Sequence, residues 1–284
     1  MRDLRFDLLR LGGFATRTQL RAMGHSPRGI RAAVEARHCL TLTRSWVAAA
    51  DANPDGIRAL RLHGMLGGES ALRSYGIWVS HNTGLCVATP RTASRRLPMH
   101  HREYRVWREF AESSHGENAT WRVGVAEALA QYLPRVDPAH AAATLDSALH
   151  LGLLSTAELE PLLQRMPRRI RRLRRRLDAA AESGLETLLR LAIIEAGWRV
   201  ESQVYIAGVG RVDLLVDGWL VIEADGSKWH DGHEAIQRDR ARNAALVLRG
   251  FRWHRFGYGQ VMTDLAQCVA VIRALLASGR PLAR

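Results

Sequence analysis

Cysteine is scarce: the chain has three, Cys39, Cys86 and Cys268, odd in number, far apart and never in a CxxC pair. That excludes a disulfide framework and offers no zinc-ligand spacing. No apolar run approaches membrane-spanning length, and the opening Met1-Arg-Asp-Leu-Arg stretch lacks the apolar core of a signal peptide. A reduced, cytoplasmic setting without a membrane partner is therefore the expectation. Acidic residues are also in deficit, with 28 Asp and Glu against 41 Lys and Arg, a net charge of +13 carried mainly by arginine. The planar guanidinium fork matches phosphate oxygens, so this balance points to a polyanionic partner such as nucleic acid. A high-GC genome produces the same bias, and composition alone does not separate the two. With 284 residues, 47% of them hydrophobic, two or three domains can each bury a core.

The first fifty residues read as three helices and a hairpin. Residues 2–11 place Leu4, Leu8, Leu9 and Leu11 at helical spacing, and Gly12-Gly13 ends that helix. A second helix spans about 16–23 before Gly24. Ser26-Pro27 then supplies an N-cap and a first-turn proline for a third, about 27–36. Cys39-Leu-Thr-Leu-Thr and Trp46-Val-Ala alternate like two short strands around Arg44-Ser45. This is the winged helix-turn-helix pattern. The stretch from Phe14 to Arg31, with Gly24-His-Ser-Pro-Arg-Gly-Ile-Arg at its end, resembles the N-terminal domain of AbiEi-type antitoxins. The resemblance implies that Arg28 and Arg31 face a DNA groove. Cys39 and Ser45 depart from it by replacing expected glycines, and such three-helix units also serve as plain protein-contact modules.

Residues 51–166 carry no catalytic motif. Helices are expected near 55–66 and 123–133, and extended chain over 78–89 with a turn at Asn82-Thr83-Gly84. His81, His100 and His101 read as surface or packing histidines rather than ligands. Seven of the nine residues from Arg168 to Arg176 are arginine, and the apolar positions Ile170, Leu173 and Leu177 fall three and four apart. That periodicity predicts a packed amphipathic helix. Arg168, Arg169, Arg172, Arg175 and Arg176 would line its outer face, either as a phosphate track or as a solvated surface.

Beyond residue 182 the expected order is helix, three strands, helix, strand, helix. A helix opens at Ser183-Gly-Leu-Glu186 with apolar positions 185, 188, 189, 192 and 193. Strands follow at 198–206, 211–216 and 219–224, a helix at 233–248, a strand at 251–256 and a helix at 263–277. The hairpin at 216–218 is informative. Val212, Leu214, Val216, Leu220, Ile222 and Ala224 share one face only if the connection is odd in length, as a type I turn with left-handed Gly218 would make it. The same register puts Asp213, Glu223 and Asp225 together on the opposite face. Clustered carboxylates repel unless a cation is present, and a hard divalent ion is bound by one or two of them plus water and phosphate oxygens.

Val-Asp-Leu-Leu, Val-Ile-Glu-Ala-Asp-Gly-Ser-Lys-Trp-His, Arg238-Asp-Arg-Ala-Arg242-Asn-Ala-Ala-Leu and Gly250-Phe-Arg-Trp-His-Arg-Phe occur in that order. Together they resemble the very-short-patch-repair-like branch of the PD-(D/E)xK nucleases, over about residues 183–277. The resemblance implies Mg²⁺, with Mn²⁺ as a substitute, held by Asp213, Glu223 and the Ala224 carbonyl. It makes Glu186 the helix carboxylate that orients water, although Ser183-x-x-Glu186 is also a capping box. The lysine usual two positions after the glutamate is missing. Asp225 stands there, and Lys228 or His230 could supply the group, His230 being favoured because imidazole titrates near neutrality. Asp239 and Arg242, three apart on one helix, read as an ion pair beside the site.

The expected fold class is α/β (α+β): an N-terminal winged helix-turn-helix at 1–50, a mixed connecting region at 51–166 and an arginine-rich helix at 167–182. A PD-(D/E)xK restriction-endonuclease-like αβββαβα core at 183–284 completes it. The expected function is metal-dependent hydrolysis of DNA phosphodiester bonds. Two alternatives stay open: an antitoxin-type DNA-binding regulator with a degenerate nuclease fold, and an RNA-cleaving toxin or defence effector.

Overall fold

The computed structural model describes residues 3–80, 84–91, 97–108, 119–225 and 233–280. It divides into two compact units, residues 1–77 with 81–135 and residues 78–80 with 136–284. Among the described residues there are thirteen α-helices and three small sheets, a mixed α+β fold. None of those helices is long and apolar enough to cross a membrane.

In the first unit, helix α1 (Leu4–Arg10) is capped by Asp3, whose carboxylate accepts from Arg5 N. Strand β1 (Phe14–Thr16) follows Gly12 and Gly13, both at positive φ. Thr16 then starts α2 (Arg17–Ala22) in a reciprocal capping box with Gln19. Ser26 and Pro27 open α3 (Pro27–Glu35) as their residue types dictate. Strands β2 (Cys39–Thr41) and β3 (Trp46–Ala49) pair with each other, and β1 adds to the far side of β3, giving the order β1-β3-β2. The expected two-stranded hairpin is thus a three-stranded antiparallel sheet. Phe14 pairs with Ala48 and stacks on Trp121 at 4.5 Å.

Helix α4 (Pro54–Arg61), β4 (Met65–Leu66), α5 (Gly68–Ser74), β5 (Leu85–Thr89), β6 (Glu103–Trp107) and α6 (Val125–Tyr132) complete this unit. The second sheet runs β4-β5-β6, antiparallel then parallel. Of the turn expected at 82–84, Asn82 and Thr83 lie outside the described residues, as does His81. His100 and His101 are exposed, in keeping with a surface role.

In the second unit, α7 (Pro138–His150) and α8 (Thr156–Gln164) precede the arginine run. That run is not the continuous helix its spacing predicts. It forms four α-helical residues, α9 (Arg168–Arg171), then a 3-10 turn over Arg172–Arg176, and Leu177 is extended. The tighter turn still buries Ile170 and Leu173, three apart.

The remaining elements are α10 (Gly184–Glu195), β7 (Val200–Ile206), β8 (Gly210–Val216), β9 (Leu220–Asp225), α11 (His233–Leu248), β10 (Arg252–Gly257), α12 (Tyr258–Thr263) and α13 (Leu265–Ala277). The last expected helix is α13, which Asp264 caps through Gln267 N, and the short α12 before it was not expected. The sheet order is β10-β9-β8-β7. Its β7-β8 and β8-β9 pairs are antiparallel, and β9-β10 is parallel across α11. Leu185, Leu188, Leu189 and Ile193 of α10 pack with Leu214, Val216, Leu220, Ile222 and Phe256 on one face, joined by Val261, Cys268 and Ile272. On the other face Val212, Leu215, Val221 and Ile206 pack with Leu246 of α11.

Candidate active site at the splayed end of the sheet

The hairpin register is the odd one. Leu214 pairs with Ile222 and Val216 with Leu220, so continuing it sets Asp213 opposite Glu223. The turn itself differs from the expected type. Asp217 (φ 48°) and Gly218 (φ 76°) are both left-handed, the signature of a primed turn, and Trp219 N donates to Val216 O at 3.2 Å. Trp219 is the additional residue that makes the count odd.

Pairing between β8 and β9 ends at Leu214 and Ile222. Past that point Ala224 N donates to Asp213 Oδ2 at 2.9 Å, so the aspartate side chain takes the place of a ladder bond. Val212 departs from the expected face and joins Leu215 and Val221 in the α11-side core. The cause lies on β7. The β7-β8 ladder pairs Ser202 with Leu214 and Val204 with Val212 but skips Gln203 and Asp213, and Gln203 has a φ of 55°. This local reversal switches which side chains face which core.

Glu186 sits in the first turn of α10 and is buried, 4% exposed. Ser183 Oγ caps Glu186 N at 3.3 Å, as the motif predicts. The glutamate side chain, however, does not return to Ser183. Its Oε2 accepts from Glu182 N at 3.0 Å and from Gln203 Nε2 at 2.8 Å. Helix α10 is also tied to α7 by Thr187 and Arg190, both bonded to Asp146 Oδ2 at 2.9 Å.

Asp213 is half-buried, and its carboxyl is pushed up to about 6. Burial is the largest cause, and the neighbouring charges of Glu186 and Glu223 add to it. The Ala224 N–H and Arg242 pull the other way. Asp213 therefore feels both neighbouring carboxylates.

Glu223, 5% exposed, is drawn to arginine. Arg255 Nη2 lies 2.8 Å from its Oε2, and Arg242 Nη1 lies 2.5 Å from its Oε1. The Arg242 contact is an ion pair of poor direction, because Oε1 is buried and accepts no hydrogen bond. Arg255 also grips Asp239 at 2.7 and 3.1 Å. That hydrogen bonding holds the Asp239 carboxyl below its ordinary range and keeps the Arg255 guanidinium protonated. The expected Asp239–Arg242 pair is thus replaced by a crossed network: Asp239 binds β10 and Arg242 binds β9. Sequence reasoning missed Arg255. The signal was the alternation of β10, which sets Arg255 opposite Glu223 in the parallel register.

Asp225 is half-buried at the end of β9, in register with Gly257. Lys228 and His230 lie outside the described residues. Among the described residues no three acid, histidine or cysteine side chains converge as a metal-binding group. The donor chemistry still fits a divalent cation. Asp213 feels the charges of both Glu186 and Glu223, and the buried Oε1 of Glu223 accepts no hydrogen bond.

The αβββαβα order of the second unit is that of a restriction-endonuclease-like fold. The particular family model that matches is REase_MTES_1575, over residues 186–276, about a third of the chain. No curated protein matches the chain.

Proposed function

We propose that the second unit carries a Mg²⁺-dependent endonuclease site acting on DNA, with Mn²⁺ able to substitute. The observation that supports this best is the place of Asp213 at the end of the β8-β9 pairing, where its carboxylate accepts from Ala224 N and feels the charges of both Glu186 and Glu223. Asp213, Glu223 and the Ala224 carbonyl would hold the ion once Arg242 yields Glu223 Oε1. When bound, such an ion activates water and neutralises charge developing at phosphorus.

Glu186, with both described hydrogen bonds on Oε2, would orient the attacking water and take its proton at Oε1. Asp225, Lys228 and His230 are the candidates for the missing lysine's role, and Asp239 with Arg255 steadies Glu223 from behind. Arg168, Arg169, Arg172, Arg175 and Arg176 are exposed on the basic turn and would track phosphates. In the first unit Arg28 and Arg31 are exposed on α3 while Ile30 is buried, the arrangement that a winged-helix reader of DNA requires.

The test is supercoiled plasmid incubated with purified protein and Mg²⁺ or Mn²⁺, beside matched RNA. Nicking or cutting of DNA that Glu223→Ala abolishes is the expected result. Full cleavage by that variant overturns the site. One observation favours a second reading, a DNA-binding regulator that no longer cuts: two guanidiniums already neutralise Glu223. Metal-independent operator binding without cleavage would select it.

A further inference from the structure

We propose that Gln203 is a positioning residue for the Glu186 carboxylate, a role that rests on the nuclease reading above. Four described non-glycine residues have left-handed backbone: Arg37, His63, Asp217 and Gln203. Arg37 and His63 follow helix ends and Asp217 is at a hairpin tip, places where such geometry is ordinary. Gln203 alone lies inside a strand, β7. A residue with a side chain adopts that conformation at a cost, and it persists where the surroundings compensate.

The distortion is local and has a visible penalty. The ladder loses the Gln203–Asp213 pair, and the neighbouring Ser202 Oγ is buried without a hydrogen-bond partner. What it achieves is also visible. The Gln203 amide crosses to α10 and donates to Glu186 Oε2 at 2.8 Å. Opposite the bend, Asp213 leaves the ladder and its carboxylate reaches Ala224 N. One reversed residue thus orients the helix carboxylate through its side chain and frees the strand carboxylate through its backbone.

The residue type suits the task. A neutral amide offers a donor to Glu186 without adding charge beside three carboxylates. A glutamate there would add repulsion, and a leucine would leave a buried carboxylate oxygen with one donor fewer.

Gln203→Gly separates the two functions, since glycine keeps the left-handed backbone and removes the amide. Gln203→Asn, which tolerates the same backbone but is one methylene shorter, serves as the second variant. With Mn²⁺ and plasmid DNA, Gln203→Gly is expected to lower kcat by about 10- to 100-fold, the range for groups that orient a site's ligands. KM for DNA should be little changed and the melting temperature equal or higher, with Gln203→Asn intermediate in kcat. Wild-type kcat in Gln203→Gly overturns the proposal alone. So does a loss that runs parallel to a fall in melting temperature in both variants, which marks a structural role. A wild-type chain that does not cut, or cutting unaffected by Glu223→Ala, overturns the nuclease reading and this proposal with it.

Discussion

Two aspartates of the second unit, Asp146 and Asp213, are both pushed up to about 6, and burial is the leading cause for each. Their surroundings differ. Asp146 is fully buried yet complete: Asp178 N donates to Oδ1 at 2.8 Å, and Thr187 and Arg190 both serve Oδ2. Each of these partners pulls its carboxyl down against burial. Asp213 has the Ala224 N–H, and the adjacent Glu186 and Glu223 push it further up. The same displacement thus marks a finished structural joint in one place and an unmet demand for positive charge in the other. A shifted carboxyl becomes informative about function only when its causes are separated.

The largest effect that would sharpen this contrast is on stability. Asp146→Ala leaves Arg190, 7% exposed, without its buried counter-charge, and should cost about 3–5 kcal/mol by urea unfolding. Asp213→Asn should do the opposite. The metal-free fold keeps or gains stability because a repelling charge is gone, while Mg²⁺-dependent cleavage falls by at least about 100-fold. Equal destabilisation by the two variants would erase the distinction.

A smaller effect follows from pH. The Asp146 carboxyl is raised in the folded state from an ordinary 3.8 to about 6. Its contribution to stability is therefore complete below the ordinary value and is lost as pH rises through about 6. Relative to Asp146→Asn, the parent protein should lose on the order of 1–3 kcal/mol between pH 4 and 7. A flat difference would contradict the assignment. The smallest effect belongs to an exposed pair. Arg174 and Glu160 lie 2.9 Å apart with both side chains more than half exposed, and Arg174→Ala should cost about 0–1 kcal/mol by the same measurement.

Much of the second unit was legible because burial enforces periodicity. The α10 stripe, the four strands and the odd hairpin count follow from which residues must avoid water, and the acids fall where that leaves them. Three features were not legible, for physical reasons. The reversal at Gln203 carries no glycine or proline to announce it and exists only because α10 and β8 compensate it. Helix α12 opens on Gly257-Tyr-Gly259, a stretch that reads as loop until Gln260 accepts from Gly257 N. The arginine run satisfies helical spacing, but an apolar spacing of three serves a 3-10 turn equally well, so the pattern does not distinguish them. In the first unit, β4 and β6 were missed. β4 is two residues long and wholly buried, and β6 is an edge strand whose residues are half-buried or exposed, so neither offers a clear alternation.

Arg190 does more than balance Asp146. The same Nη2 that meets that aspartate also holds the Arg176 carbonyl at 2.8 Å, the last residue of the basic turn. A single guanidinium thereby bolts the end of the positively charged segment to the helix whose opening turn bears Glu186. The end of the segment cannot shift away from that helix without breaking this joint.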